Sequence, residues 1–310
     1  MKFNTLFRTI LLITSLLAAC GAPTAEPTAA SDTSISLTDG LNRTVSLATP
    51  AEHVISLAPS NTEILFAIDA GEQVVGRDAA SDYPAEALSI TDIGDTYAGL
   101  NSEIIVSLQP DLVLAAEITP VEYVAELEQL GLTVFWLANP TDLDGLYTNL
   151  NIVAQLTGRE VEAIALIESL QGRAATVEAA LAGVTEKPTV FYELDATDSS
   201  APWTAGGGTF IDLLITKAGG QNAGAVLDGD YAQISIEELL VQNPDVILLG
   251  DAAYGVTVES IAARAGWDQL AAVQTGQVFP FDDNLVSRPG PRLIDALEQL
   301  VRLLHPDQFN

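Results

Sequence analysis

The chain has 310 residues, and its 42 acidic side chains outnumber the 12 basic ones, for a formal charge of −30. So negative a surface repels nucleic-acid phosphates and anionic headgroups, which excludes nucleic acid as a partner. One cysteine excludes an intrachain disulfide, and two histidines supply too few ligands for a bare transition-metal centre.

Residues 1–19 read as a secretory signal. Lys2 and Arg8 form a basic start, Ile10 to Leu17 is a short apolar run, and Leu17-Ala18-Ala19-Cys20 closes it. That run is too short for a membrane-spanning helix. Cys20, followed by Gly21, stands where bacterial lipoproteins carry their acylated residue, and a thioether-linked lipid there predicts membrane anchoring outside the cytoplasm. Loss of Lys2 and Arg8 with the signal would take the charge from −30 to −32. Residues 20–34 then form the anchor and a small, polar, proline-bearing tether that lacks the apolar surface to order itself.

From residue 35 the pattern alternates. Ile35 to Leu47 reads as a hairpin around Asp39-Gly40. His53 to Leu57 is an apolar strand, and Ser60 or Asn61 is expected to cap a helix from Thr62 to about Ala70. Further strands are predicted at Leu112–Ala115 and Thr133–Leu137, with a helix from Val121 to Leu130 between them. Residues 141–187 carry helical periodicity only, and Arg159 to Leu181 predicts one helix of about 35 Å at 1.5 Å per residue. Alternation resumes with strands at Thr189–Leu194, Val246–Leu249 and Val278–Phe281, and helices at Phe210–Ala218 and Leu293–Leu304. The reading is an α/β protein: a first lobe over 35–140, a helical segment over 141–187 and a second lobe over 188–310.

One unit occurs twice. Glu103 lies seven residues before Pro110-Asp111, and Glu237 seven residues before Pro244-Asp245, each leading from helix through turn into apolar strand. A helix cannot run through the residue before proline, so each Pro-Asp turns the chain.

Val54-Ile-Ser-Leu-Ala-Pro-Ser-Asn-Thr-Glu63, Asp82-Tyr83-Pro84 and the Glu103…Pro110-Asp111 unit resemble the class III, helical-backbone binding proteins of ABC importers. The resemblance spans about Ile35 to Pro306 and implies two Rossmann-like lobes joined by one long backbone α-helix, with ligand held between them. It implies a receptor and not an enzyme, for cobalamin or a related corrinoid, with a ferric siderophore or haem as alternatives. It implies as partners an ABC permease dimer and its ATPase subunits, with Glu103 and Glu237 docking onto permease arginines. By position Tyr97 matches an aromatic ligand contact of a cobalamin receptor, and Tyr231 takes the corresponding place in the second lobe. Ala80 and Ala116 depart from that pattern, which offers aromatics there.

Read from the residues themselves, Trp203 precedes a Gly206-Gly207-Gly208 run that would let backbone approach a ligand. Arg288, in a Pro/Gly-rich loop, is a candidate for an acidic or amide group of the ligand, and Arg292 for a structural ion pair. Asp282 and Asp283 are candidates to neutralise these arginines. Ser60 and Asn61, on the first strand-to-helix loop, complete the candidate ligand set. No intrinsic cofactor or metal site is expected. A lipoprotein hydrolase using carboxylates is the remote alternative, since no nucleophile elbow or marked carboxylate pair occurs.

Overall fold

Alternating polar and apolar side chains fold the first segment into an antiparallel hairpin, β1 (Ile35–Thr38) and β2 (Thr44–Leu47), with Ile35 opposite Leu47. The computed structural model describes residues 34–96 and 99–308. The leader, Cys20 and Tyr97 therefore lie outside the described residues. At the hairpin tip the Asp39 carboxylate accepts the Leu41 and Arg43 amides, and Gly40 packs under Trp136, whose ring leaves no room for a Cβ.

The first lobe runs through β3 (Val54–Ser56), α1 (Pro59–Ala67), β4 (Val74–Arg77) and β5 (Thr91–Asp92). A small hairpin of β6 (Gly94–Asp95) and β7 (Gly99–Leu100) precedes α2 (Ser102–Ser107), β8 (Leu112–Ala116), α3 (Val121–Gln129) and β9 (Val134–Leu137). Its sheet has the order β5-β4-β3-β8-β9, and every pairing is parallel. The central strands are buried along their whole length, which is why they read as unbroken apolar runs.

Two helices follow, α4 (Leu143–Thr157) and α5 (Glu160–Leu181). Asp142 caps the first by accepting the Gly145 amide, and Gly158 ends it in the left-handed conformation at φ 71°. The second lobe contains β10 (Thr189–Glu193), β11 (Trp203–Ala205), α6 (Phe210–Lys217), β12 (Gln221–Asn222), β13 (Tyr231–Gln233), α7 (Ile236–Gln242) and β14 (Val246–Leu249). It ends with α8 (Val258–Ile261), α9 (Ala271–Thr275), β15 (Val278–Pro280), α10 (Asn284–Ser287) and α11 (Leu293–Leu304). The parallel order is β12-β10-β14-β15, while β11 and β13 form a separate antiparallel ribbon.

The 22 residues of α5 span about 33 Å and run through the helical layer without a break at Gly172, where a side chain would meet only open space. Ala163, Ile167, Leu170 and Val177 form its buried stripe. One contiguous core joins that stripe to Val54 and Ile64 of the first lobe and to Val190 and Leu297 of the second. Polar contacts hold the middle and the start of α5. Arg173 bonds Asp295 at 2.6 Å and Glu298 at 2.8 Å on α11, while Arg159 at the start bonds Gln73 at 3.3 Å.

The repeated Pro-Asp unit does the same work in both sheets. The Asp111 carboxylate accepts the Glu52 and His53 amides at 2.9 Å, just ahead of β3. Asp245 accepts the Thr189 amide at 2.8 Å, at the start of β10. Each carboxylate thus ties the strand it introduces to the neighbouring central strand. Gln109 and Asn243, immediately before each proline, both take positive φ (49° and 42°) to make the reversal. Under this equivalence β3 matches β10, β8 matches β14, and α2 matches α7.

The structure shifts the first helix by three residues from the expected Thr62–Ala70. It begins at Pro59, whose fixed φ suits a first helical position, with Ala58 as the uncapped N-cap. It ends where Asp69 turns left-handed at φ 61°. Ser60 and Asn61 therefore sit inside the first turn and cap nothing.

In the second lobe Glu193 is fully buried and paired with Arg264, which lies over the Trp267 ring at 4.6 Å. Burial pushes the Glu193 carboxyl from 4.5 up to about 7, with Asp251 adding to the rise and Arg264 opposing it. The folded protein then holds a proton that the unfolded chain has released. This group's contribution is present below about pH 4.5 and is lost as pH rises through 7. Thermal midpoints measured from pH 5 to 8 should fall with rising pH, and Glu193→Gln should flatten that slope; an unchanged slope would exclude Glu193 as its source. Asp111→Ala and Asp245→Ala should each cost about 1 kcal/mol in urea unfolding, because each leaves a strand-leading amide unpaired. A cost at one position only would argue against the equivalence of the two units.

Candidate ligand-binding cleft

In a parallel sheet the loops at the carboxyl ends of the strands are where ligands bind. Here the two sets of loops face each other across a cleft of about 630 Å³. Ala58 to Ser60 follow β3, Ala116 to Ile118 follow β8, and Asn139 to Thr141 follow β9 on the first wall. Gly208 to Phe210, Asp230-Tyr231, Asn284 and Val286 to Pro289 line the second.

Of the residues expected to touch ligand, Ser60, Tyr231 and Arg288 stand on this cleft. Tyr231 is 57% exposed at the start of β13. Partial desolvation by the surrounding protein, with the Asp230 and Asp283 charges nearby, pushes its phenol above the ordinary range, so it stays a neutral hydrogen-bond donor. Asn61 is not in the lining: it is buried on the inner side of α1 and donates its Nδ2 to the Leu114 carbonyl at 3.0 Å. Trp203 is 44% exposed on β11 but stands outside the cleft lining. The glycine run also serves a different purpose than expected. A Cβ on Gly206 would sit 2.0 Å from the Gly229 carbonyl, so this glycine permits two loops of one lobe to pack, and only Gly208 reaches the cleft. Ala80 and Ala116 both lie on the cleft wall and make it wider than aromatics would.

Sequence reasoning missed the residue that joins the walls. Glu63, on α1 and 3% exposed, accepts Nε of Arg292 at 2.8 Å and faces the second nitrogen of the same guanidinium. Arg288 reaches the same carboxylate at 3.4 Å and Asp82 at 2.6 Å, and also donates to the Ala80 carbonyl. The Arg292 guanidinium stacks on Tyr83 at 4.0 Å. Arg288 was expected to meet a ligand, but its charge is already shared between two carboxylates of the opposite lobe. The reason is distance in sequence: its partners lie more than 200 residues away. Neither Asp282 nor Asp283 forms an ion pair with these arginines, although the Asp282 charge helps hold Arg292 protonated. Asp283 accepts from Tyr192 and Ser287, and Asp282 accepts from Asn284. A carboxylate within an otherwise apolar helix, Thr62-Glu63-Ile64-Leu65, was the available signal.

Glu103 and Glu237 lie on neither wall. Each is exposed in the first turn of its helix, behind the N-caps Asn101 and Ser235. Neither forms an ion pair with another described residue. His53 lies beside Asp111 at 3.6 Å and His305 beside the Gly219 carbonyl at 3.4 Å, both remote from the cleft lining.

The model of a periplasmic binding protein family matches residues 54–285. The chain belongs to the periplasmic binding protein family. It is 29% identical to an uncharacterised ABC transporter substrate-binding lipoprotein of Bacillus subtilis, over 97% of this chain and 96% of that one. A vitamin B12-binding protein of Vibrio cholerae is 31% identical, over 82% of this chain and 90% of the relative. A solved haem-binding periplasmic protein from Roseiflexus superposes with a TM-score of 0.74 at 30% identity, covering 83% of this chain and 98% of that one. With two parallel-sheet lobes and a continuous α5, this is the class III architecture of ABC-importer substrate-binding proteins. Proteins of this family are extracytoplasmic binders, and those of ABC transporters work with permease and ATPase components.

Glu63→Ala should cost about 3–5 kcal/mol in urea unfolding, since it leaves two guanidinium groups short of a buried partner. Asp82→Ala removes only an exposed partner and should cost under about 1 kcal/mol. Equal costs would mean that Glu63 does not hold the junction.

Proposed function

We propose that this binding protein captures cobalamin or a related corrinoid in the inter-lobe cleft and hands it to an ABC permease, while Cys20 carries the lipid that keeps it at the membrane. The observation that carries the ligand is the cleft wall itself. It is wide at Ala80 and Ala116, lined by neutral donors such as Ser60 and Thr141, and flanked by the exposed face of Tyr231. A large flat ligand rimmed by amides suits a surface of that kind. The likeness to vitamin B12-binding relatives supports the same reading. An acidic siderophore loses its sequence-level support, because Arg288 is occupied by Asp82 and Glu63.

Docking onto the permease falls to Glu103 and Glu237. They occupy equivalent turns of the two lobes, both are exposed, and charge at two separated points fixes orientation as well as encounter.

Calorimetry on the body starting after Cys20 should give saturable one-to-one binding of cyanocobalamin, weakened about tenfold or more by Tyr231→Ala, an aromatic stacking loss of at least about 1.4 kcal/mol. In a reconstituted transporter, replacing both Glu103 and Glu237 with Ala should abolish uptake and leave ligand affinity intact. Haemin binding in place of the corrinoid would overturn the ligand, and unimpaired uptake by the double variant would overturn the docking assignment.

A further inference from the structure

The cleft's charge inventory carries an inference about what it refuses. Among the described residues every arginine is committed to a carboxylate. Arg43 pairs with Asp39, Arg77 with Asp92, Arg159 with Asp69 and Glu162, and Arg173 with Asp295 and Glu298. Arg264 pairs with Glu193, Arg288 with Glu63 and Asp82, Arg292 with Glu63, and Arg302 with Glu298. Two lysines remain among the described residues, and neither is on the cleft. Lys187 lies before β10, at the amino ends of the strands and away from the cleft, and Lys217 ends α6 beside a separate hollow lined by Tyr147 and Glu178. Only Arg288 among the cations lines the cleft, and two carboxylates share it.

Of the two helix N-termini that border the cleft, that of α6 is already filled. The start of α6 borders the cleft, but its Gly208 amide donates to the Asp212 carboxylate at 2.9 Å, and the Thr209 hydroxyl accepts the Asp212 amide. Meanwhile both walls carry an exposed carboxylate. Glu117 on the first accepts only the Asn139 amide at 3.0 Å, and Asp230 stands beside Tyr231 on the second. The donors left over are neutral: the uncapped first turn of α1 at Ser60, the Asn139 and Thr141 side chains, and the Tyr231 phenol.

We propose that the cleft selects its ligand by charge, accepting neutral or cationic chelates rimmed with amide or hydroxamate oxygens and rejecting those with free carboxylates or catecholates. This rests on the cleft being the ligand site. A ligand carboxylate entering between Glu117 and Asp230 would be desolvated beside like charges with no counter-cation, whereas an amide oxygen finds donors without that cost. The strongly negative surface acts in the same sense on encounter, slowing anions and steering cations.

The test is tryptophan fluorescence and calorimetry on the body starting after Cys20. The neutral probes are cyanocobalamin and a neutral ferric trihydroxamate. A cationic ferric trihydroxamate, haemin and an anionic ferric tris-catecholate complete the set. Haemin and the tris-catecholate should bind at least 100-fold more weakly than the best neutral or cationic probe. Changing Glu117→Gln and Asp230→Asn together should narrow that gap at least tenfold and reduce the salt dependence of cationic-probe binding. Both positions are exposed, so an unaltered unfolding midpoint is expected for the double variant. Haemin or tris-catecholate binding within tenfold of the neutral probes overturns charge selection and leaves the receptor role standing. Trihydroxamate binding without corrinoid binding upholds charge selection and removes the corrinoid.

Discussion

The structure turns on a single buried carboxylate. Glu63 sits in the first lobe with almost no solvent contact, and the two groups that compensate it, Arg288 and Arg292, belong to the second. Separating the lobes would leave a carboxylate and two guanidinium groups without partners in a partly apolar junction, a cost of several kcal/mol. Tyr83 under Arg292 and Asp82 beside Arg288 add first-lobe groups to the same knot. The stiff α5, with polar contacts from Arg173 in its body and Arg159 at its start, holds the junction from behind. These constraints oppose the hinge closure available to lobes joined by flexible strands.

Much of the architecture could be read from the sequence because it depends on local physics. Buried parallel strands must be apolar throughout, so β8, β9, β10 and β14 announced themselves within a residue or two of their observed ends. Of the two glycines in the helical stretch, Gly158 takes the left-handed conformation and ends α4, while α5 runs through Gly172, a difference glycine alone does not announce. The Pro-Asp spacing was visible too. What it does was not: the strand-tying bonds from Asp111 and Asp245, and the positive φ of Gln109 and Asn243, depend on the neighbouring strand being in place.

The site was less legible, for one recurring reason. Side chains that look available in a loop are often claimed by residues hundreds of positions away. Arg288 is the clearest case, since its partners Asp82 and Glu63 precede it by 206 and 225 residues. Asn61 looked like a helix cap, but Pro59 starts the helix earlier, and its amide turns inward to Leu114. Trp203 was expected to meet ligand ahead of the glycine run, but pairing of β11 with β13 sets it on a ribbon outside the cleft lining, and that pairing is not local. Tyr231 was named from the place the family resemblance gives it in the second lobe, and the start of β13 does set it on the cleft wall.

Composition links these observations. A chain with so few cations and so many acids cannot spend an arginine on a ligand and also hold its own folded charges together. The fold resolves this by giving its arginines to internal carboxylates: Glu63 between the lobes, Glu193 in the second core, Glu298 under α5. What is left for recognition is then uncharged or acidic. Such a surface binds through shape, aromatic contact and neutral donors, which fits a rigid cleft better than an adaptable one. If the walls cannot close to assemble a site, the donors must already stand where the ligand's acceptors arrive. The acidity that stabilises little by itself thereby determines both how the lobes are joined and which ligands the space between them can hold.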